Sequence, residues 1–317
     1  MVKHLKKSER GIALLVVLMG IALMTLIIVD FSTAAALNYL SAANQTNELR
    51  AYYLARSAVS VGLGLLAQDS LSDSQNQAPY DGLTDVWAVP FPPMDVDGGK
   101  VSLSIVDEAR KLDLNLLINP QNGQFNDQFA AELVRLFTIL GVSPEIIPAI
   151  ADWINPANIE SPGGAGMDYY LRLHPPYSPR NMPMPTIGDL RLIKGIDEAT
   201  FNRLLPFVTV YPEPVVNANT APPEVLAALL PQLMDSPEIV KEIVMARMLM
   251  PFTNTTDIAN LPGLGTIGQA LTQVLTTRST FFTINAMGTF AGSRKLVYST
   301  FRRQGNGTAT LLSWQED

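Results

Sequence analysis

Cysteine is absent from all 317 residues. That excludes a disulfide framework, a thiolate metal site and a thiol nucleophile. Histidine is scarce: His4 lies in a basic leader, and His174 stands alone before Pro175-Pro176. A His-rich metal site is therefore excluded, and Ser-His-Asp chemistry would rest on one loop histidine. Positive charge is the minority sign, with 22 Lys+Arg against 29 Asp+Glu. Phosphate neutralisation needs a basic surface, so nucleic acid is not an expected partner. No G-x-S-x-G, H-E-x-x-H or P-loop pattern occurs, and no catalytic role is expected. Proline is missing from the first 78 residues, whereas 23 prolines punctuate the remainder. At roughly 100–200 residues per domain, the length allows one large domain or two modest ones.

The proline-free part opens with MVKHLKKSERG, in which Lys3, Lys6, Lys7 and Arg10 outnumber Glu9. Ile12 to Val29 carries no charge and is closed by Asp30. As a helix this run is about 27 Å long, enough to cross a hydrocarbon core. The basic residues before it keep that end cytoplasmic and place the rest outside. A secretory signal peptide cut near Ala34-Ala35-Ala36 and a plain single-span anchor are the alternatives. Against the signal peptide stand the length of the run, Asp30 before the alanines, and helical character beyond them. Leu37, Leu40, Leu49, Tyr53, Leu54, Val59, Leu63 and Leu66 keep a helical period. One helix from Ile12 to about Gln68 is expected, about 85 Å long.

Residues 69–97 read as loop. Lys100–Val106 alternates as a half-buried strand, and Leu112–Leu117 reads as a second short strand that could pair with it in a hairpin. Helix signals follow. Asn126-Asp127 caps a helix ending at Gly141, Pro144 opens one to about Trp153, and 155–185 is a Pro/Gly-rich loop. Further helices are expected after Thr186, Asp197, Pro222, Pro237, Thr256 and Thr266. Phe281–Thr289 and Lys295–Arg303 flank Ala291-Gly292-Ser293 as a hairpin, with a third strand over Thr308–Trp314. One sheet built from both ends, with a helical domain inserted between, is the economical architecture.

A short basic leader ending in Gly11, followed at once by Ile12-Ala-Leu-Leu-Val-Val-Leu, resembles the signal of type IV pilins and pseudopilins. The fifth residue after Gly11 is Val16, where most such proteins have glutamate; this departure resembles one member type, the large minor pseudopilin K of type II secretion systems. VDEARKLDLN (106–115), ADWI (151–154), Pro175-Pro176-Tyr177 with Arg180-Asn181 and Pro183, DLRLIKGI (189–196) and VNANTAP (216–222) resemble that family in order and spacing.

The resemblance implies an α+β fold: a pilin-like long N-terminal transmembrane and amphipathic helix packed on an antiparallel sheet, with a large all-helical insertion. Residues 1–11 would be a leader, 12–68 the helix with 12–29 in the membrane, 69–118 the first part of the pilin-like domain, 119–280 the insertion and 281–317 the remaining strands. It implies cleavage by the prepilin peptidase between Gly11 and Ile12, with N-methylation of Ile12. It also implies other minor pseudopilins, the inner-membrane assembly platform and membrane lipid as partners, at the tip of a pseudopilus. The expected location is the inner membrane, single-pass, with the C-terminal domain in the periplasm. A minor pilin of a type IV pilus is the runner-up.

Two stretches suggest other chemistry. Leu192–Ile196 and Leu261–Gly265 resemble helix-hairpin-helix turns, whose amides hold a DNA phosphate. However, Asp197 stands where a second glycine is needed, and 120–280 carries 9 Lys+Arg against 15 Asp+Glu. In the loop from Asp152 to Tyr170, Asp152, Asn155, Asn158, Glu160 and Asp168 offer side-chain oxygens, as calcium requires. Pseudopilin K resemblance implies calcium in the insertion too. Asn155, Ala157 and Gly166 replace acids that the family tends to have, so an ordinary hydrogen-bonded loop is the competing reading.

Overall fold

The computed structural model describes residues 7–75, 79–119, 122–157, 159–265, 267–305 and 307–317, with side chains described from Gly11 onward except Ser74. The first element, α1 (Lys7–Gln75), is one unbroken helix of 69 residues, about 104 Å long at 1.5 Å per residue. Its C-terminal end passes the expected stop at Gln68. Asp69–Ser74, expected as loop, is helical because its acids point inward: Asp69 and Asp73 are buried and pair with Arg303 and Arg278. In the second half Ala51, Leu54, Ala55, Ala58, Val59 and Leu66 are buried at helical spacing.

The chain then turns through β1 (Met94–Val96) and β2 (Gly99–Asp107), joined at Asp97-Gly98, where φ is 48° and 77°. The expected hairpin between 100–106 and 112–117 does not form. Leu112–Asp113 is β3 and pairs in parallel with β4 (Val208–Thr209). The carboxylate of Asp113 accepts the Asn115 N–H and turns Leu114–Leu117 into a 3-10 helix. Leu112, Leu114 and Leu117 sit in the core of the insertion, which therefore begins before residue 119.

The helix signals hold. Asn126 caps α2 (Asp127–Leu140), and Gly141 ends it with φ 64°. There follow α3 (Ile147–Ile154), α4 (Met167–Leu171) inside the expected loop, and α5 (Glu198–Leu204) capped by Asp197. After β5 (Val216–Asn217) come α6 (Pro223–Leu229), α7 (Pro231–Asp235), α8 (Pro237–Leu249), α9 (Thr255–Ala259) and α10 (Ile267–Val274). Residues 187–192, after Thr186, form a 3-10 helix. Thr266, expected to open the last helix, lies outside the described residues. The insertion is not all-helical: β6 (Leu275–Thr276) pairs in parallel with β5 and closes it with a second short ladder.

The last strands are β7 (Phe281–Phe290), β8 (Ser293–Arg303) and β9 (Ala309–Glu316). They complete one antiparallel sheet, ordered β1-β2-β7-β8-β9. Leu103, Ile105, Phe282, Ile284, Ala286 and Val297 of one face pack with the second half of α1 in one apolar core. The insertion has its own core, centred on α2, α3 and α6. The approach of helix to sheet needs Gly288. A Cβ there would lie 2.0 Å from the Ala51 carbonyl oxygen and 2.6 Å from the Ala55 nitrogen.

Gly288→Ala should therefore cost roughly 1–3 kcal/mol, the range for overpacking a tight core. Gly64→Ala, on an exposed position of α1 with nothing within 4 Å, should instead stabilise by about 0.5–1 kcal/mol. Thermal denaturation of the two variants checks the contrast.

Candidate functional site: an uncovered helix and an acidic junction

From Gly11 to Ala42 every residue of α1 is exposed. This part holds an 18-residue window of mean hydropathy 3.1, none of it covered by the fold. Val16 is 63% exposed, as is Ile12. The polar side chains here make few demands. The Thr25 hydroxyl donates to the Ile21 carbonyl at 2.8 Å, and Thr33 to Val29 at 2.8 Å. In hydrocarbon such back-bonds satisfy groups that water cannot reach. At Gly11 an added Cβ would meet nothing within 4 Å. The fold itself does not require glycine at that position.

At the other end α1 meets a buried charge network. Arg303, from the end of β8, donates to Asp69 at 2.8 Å, to Asp81, and to the Ser279 carbonyl at 3.0 Å. Its guanidinium also lies 4.6 Å from the Phe282 ring centre. Asp107, fully buried at the end of β2, accepts from Thr220 at 2.5 Å, Ser279 at 2.8 Å and Asn217 at 3.1 Å. Asn217 also donates to the Asp81 carbonyl at 3.0 Å. These bonds tie α1, the loop after it, the sheet and the insertion together. Periodicity could not reveal them, since buried acids break the apolar pattern; the VDEAR and VNANT runs were the sequence signals.

The network has more carboxylates than cations. Burial pushes the Asp69 carboxyl up to about 7, aided by Asp85 and Asp81. Burial lifts Asp85 to about 6 and Asp107 to about 7.

Asp152, in the last turn of α3, is buried and acts as a staple for the loop that follows. Its carboxylate accepts the Ser161 N–H at 3.0 Å, the Ser161 hydroxyl at 2.7 Å and the Ala165 N–H at 2.9 Å. A Cβ on Gly164 would sit 1.8 Å from its Oδ2, so glycine is required there. Asn155 accepts the Ala157 N–H at 2.9 Å, while Glu160 and Asp168 are exposed. Asn158 lies outside the described residues. At the first hairpin-like turn, Asp197 fills the α5 N-terminus with its own carboxylate, accepting the Thr200 N–H at 2.7 Å. A phosphate would have to displace it.

Two family models, each described as type II secretion system protein K, match residues 110–213 and 216–278. The type II secretion system protein K of Klebsiella pneumoniae is 30% identical over 81% of this chain and 80% of its own length. The chain belongs to the protein K family. The protein K of Pseudomonas aeruginosa is 28% identical over 98% of this chain and 93% of its own length. A chain in the crystal structure of the GspK–GspI–GspJ complex from enterotoxigenic Escherichia coli superposes with TM-score 0.72 at 20% identity. That match covers 87% of this chain and 99% of the other, and it shows the same fold. The protein is thus a minor pseudopilin of a type II secretion system, with a pilin-like helix and sheet interrupted by a large insertion.

The calcium that family resemblance implied does not fit the loop in this arrangement. Asp152 spends its oxygens on the loop's own donors. Among the described residues the only three acids with oxygens mutually within 4.8 Å are Asp69, Asp81 and Asp85. Asp152→Ala should cost about 1–3 kcal/mol by stranding buried donors. The loss should be equal in calcium and in chelator; a loss confined to calcium would show that an ion holds the loop.

The junction gives a pH dependence. Asp69, Asp85 and Asp107 have folded-state values above the ordinary 3.8. The folded form therefore holds protons that the unfolded chain releases, and stability is lost as pH rises through about 6–7. The melting temperature should be higher at pH 5.5 than at pH 8, and Asp85→Asn should remove part of the slope.

Proposed function

We propose that this pseudopilin stands at the tip of the pseudopilus, held in the inner membrane by the first half of α1, with sheet and insertion in the periplasm. The observation that carries the reading is the division of α1: one half buried on the sheet, the other apolar and uncovered. The uncovered half first lies in lipid and then docks among the helices of other minor pseudopilins. The relative whose fold matches was crystallised in a complex named for GspK, GspI and GspJ, which supports partners of that kind here. Val16 supports the terminal position. Without an acid at that point the subunit offers no counter-charge to the N-terminal ammonium of another subunit. The insertion supports it too, since its bulk obstructs stacking above. The protein acts by assembly, without catalysis of its own.

Processing follows from the same reading: the prepilin peptidase cuts after Gly11 and methylates Ile12, and the inner-membrane platform then extracts the helix. Gly11→Val should leave the melting curve unchanged, because a side chain there meets nothing, yet block removal of the leader. Mass spectrometry of the mature N-terminus reads this directly. A wild-type start at N-methyl-Ile12 supports the assignment; a start near Leu37 or Asn38 points to a signal peptide instead.

The tip position has a separate test. Val16→Glu places a carboxyl in hydrocarbon at a cost of a few kcal/mol unless it is paired. Assembled pseudopilus, measured by shearing and immunoblot, should fall or stay level. A clear gain would argue for an internal position.

A further inference from the structure

The sheet has two edges of different character. β1 is three residues long, follows Pro92-Pro93 and carries Asp95 at its centre. Short length, proline and charge all keep an edge from pairing with another chain. β9, the opposite edge, is eight residues long and contains no proline, glycine, lysine or arginine. Its one charge, Glu316, stands at its end. A single bulge interrupts it: Ser313 pairs with Thr300 and Leu311 with Phe301, which leaves Leu312 with no residue opposite. Leu311 and Leu312 are 49% and 46% exposed. Among the described residues no strand pairs with the outer side of β9. Its outward N–H and C=O groups therefore stand open to a further strand.

The two faces beside that edge differ. On the helix side Leu311 lies next to Phe301 of the apolar core. On the other side Arg302, exposed, lies next to Thr310. The described ion pairs of β8 use Lys295 and Arg303, not Arg302. Thr310 is short and neighbouring strands stand about 4.8 Å apart, so the Arg302 guanidinium can cross it to a carboxylate on the next strand. Successive residues of that strand would alternate between the apolar face and the cation. A second copy of this chain does not fit. The closed way for an edge to pair with itself is antiparallel, about a two-fold axis normal to the sheet. Because α1 lies along that sheet, the operation turns it end for end, and the two apolar halves point in opposite directions. Two chains held in one membrane, the reading given above for α1, exclude that arrangement. We propose that β9 is a docking edge for a different chain, which adds an extended segment of alternating apolar and acidic residues to the sheet. Main-chain hydrogen bonds supply the affinity, and Leu311 and Arg302 select the sequence.

The test uses the full chain in detergent micelles and a fluorescent synthetic peptide of β9's length that alternates leucine and glutamate. Anisotropy should show binding, and hydrogen exchange should slow at the outward amides of Ala309–Glu316, as strand addition requires. The same peptide with glutamine in place of glutamate should bind about tenfold more weakly, and Arg302→Gln should erase that preference. Leu311→Lys, a charge set on the edge, should weaken both peptides by about tenfold or more. Both substituted side chains are exposed, so the melting curves should stay unchanged. No binding above that to empty micelles would overturn the proposal. So would equal affinity for the two peptides, binding without slowed exchange in β9, or binding indifferent to Leu311→Lys. Dimers of the chain alone that disappear in Leu311→Lys would overturn it by giving the edge to a second copy. The membrane reading of α1 has its own test in the mature N-terminus, whose outcome none of these results decides.

Discussion

Arg303 leaves the end of β8 and ends beneath α1, where its guanidinium meets Asp69, Asp81, the Ser279 carbonyl and the face of Phe282. Its hydrogen bonds join the helix, the loop after it and the return from the insertion. A buried guanidinium is tolerable only when its fork is matched by acceptors. Those acceptors lie more than 200 positions away in sequence at Asp69 and Asp81. The pairing therefore fixes the register of α1 on the sheet and the point at which the chain comes back from the insertion.

Around that centre the fold solves a topological problem. The chain must leave β2, build a separate core over about half its length and return to pair with the same strand. Two short parallel ladders, β3–β4 and β5–β6, close the insertion near its entry and exit. Asp107, Asn217, Thr220 and Ser279 then bond the closed unit to the end of β2 and the start of β7. Proline at the first turn of α6, α7 and α8 starts each helix where its missing N–H does no harm. The inserted domain is thus locally determined helix by helix, and globally held by polar groups at its neck.

How much of this was legible follows from the range of each signal. The long helix, the Asn126 and Asp197 caps, the Gly141 stop and the Ala291-Gly292 turn are all short-range effects, and each stands where the residues place it. The sheet built from both ends was legible from the order of strand patterns. The pairing of Leu112–Asp113 was not, because a two-residue parallel ladder carries no periodicity, and its partner lies 96 positions away at Val208. The extension of α1 past Gln68 was missed for a related reason: Asp69 and Asp73 look like turn residues until Arg303 and Arg278 are in place. Asp152 was singled out as an ion ligand by composition, yet its hydrogen bonds to Ser161 and Ala165 arise from a loop geometry that composition does not encode.

The separation of the two apolar cores has a mechanical consequence. The helix-and-sheet core and the insertion core are separate clusters. Between them Tyr211 of the insertion stacks on Phe281 of β7, ring centres 6.1 Å apart, and the other contacts described here are made by carboxylates, hydroxyls, one amide and one guanidinium. Hydrogen bonds and ion pairs lose most of their strength within an ångström or so of stretch, whereas apolar contact yields gradually. Load carried along α1 therefore reaches the insertion through a largely polar neck, whose stiffness is set by its hydrogen bonds and ion pairs and by one aromatic stack.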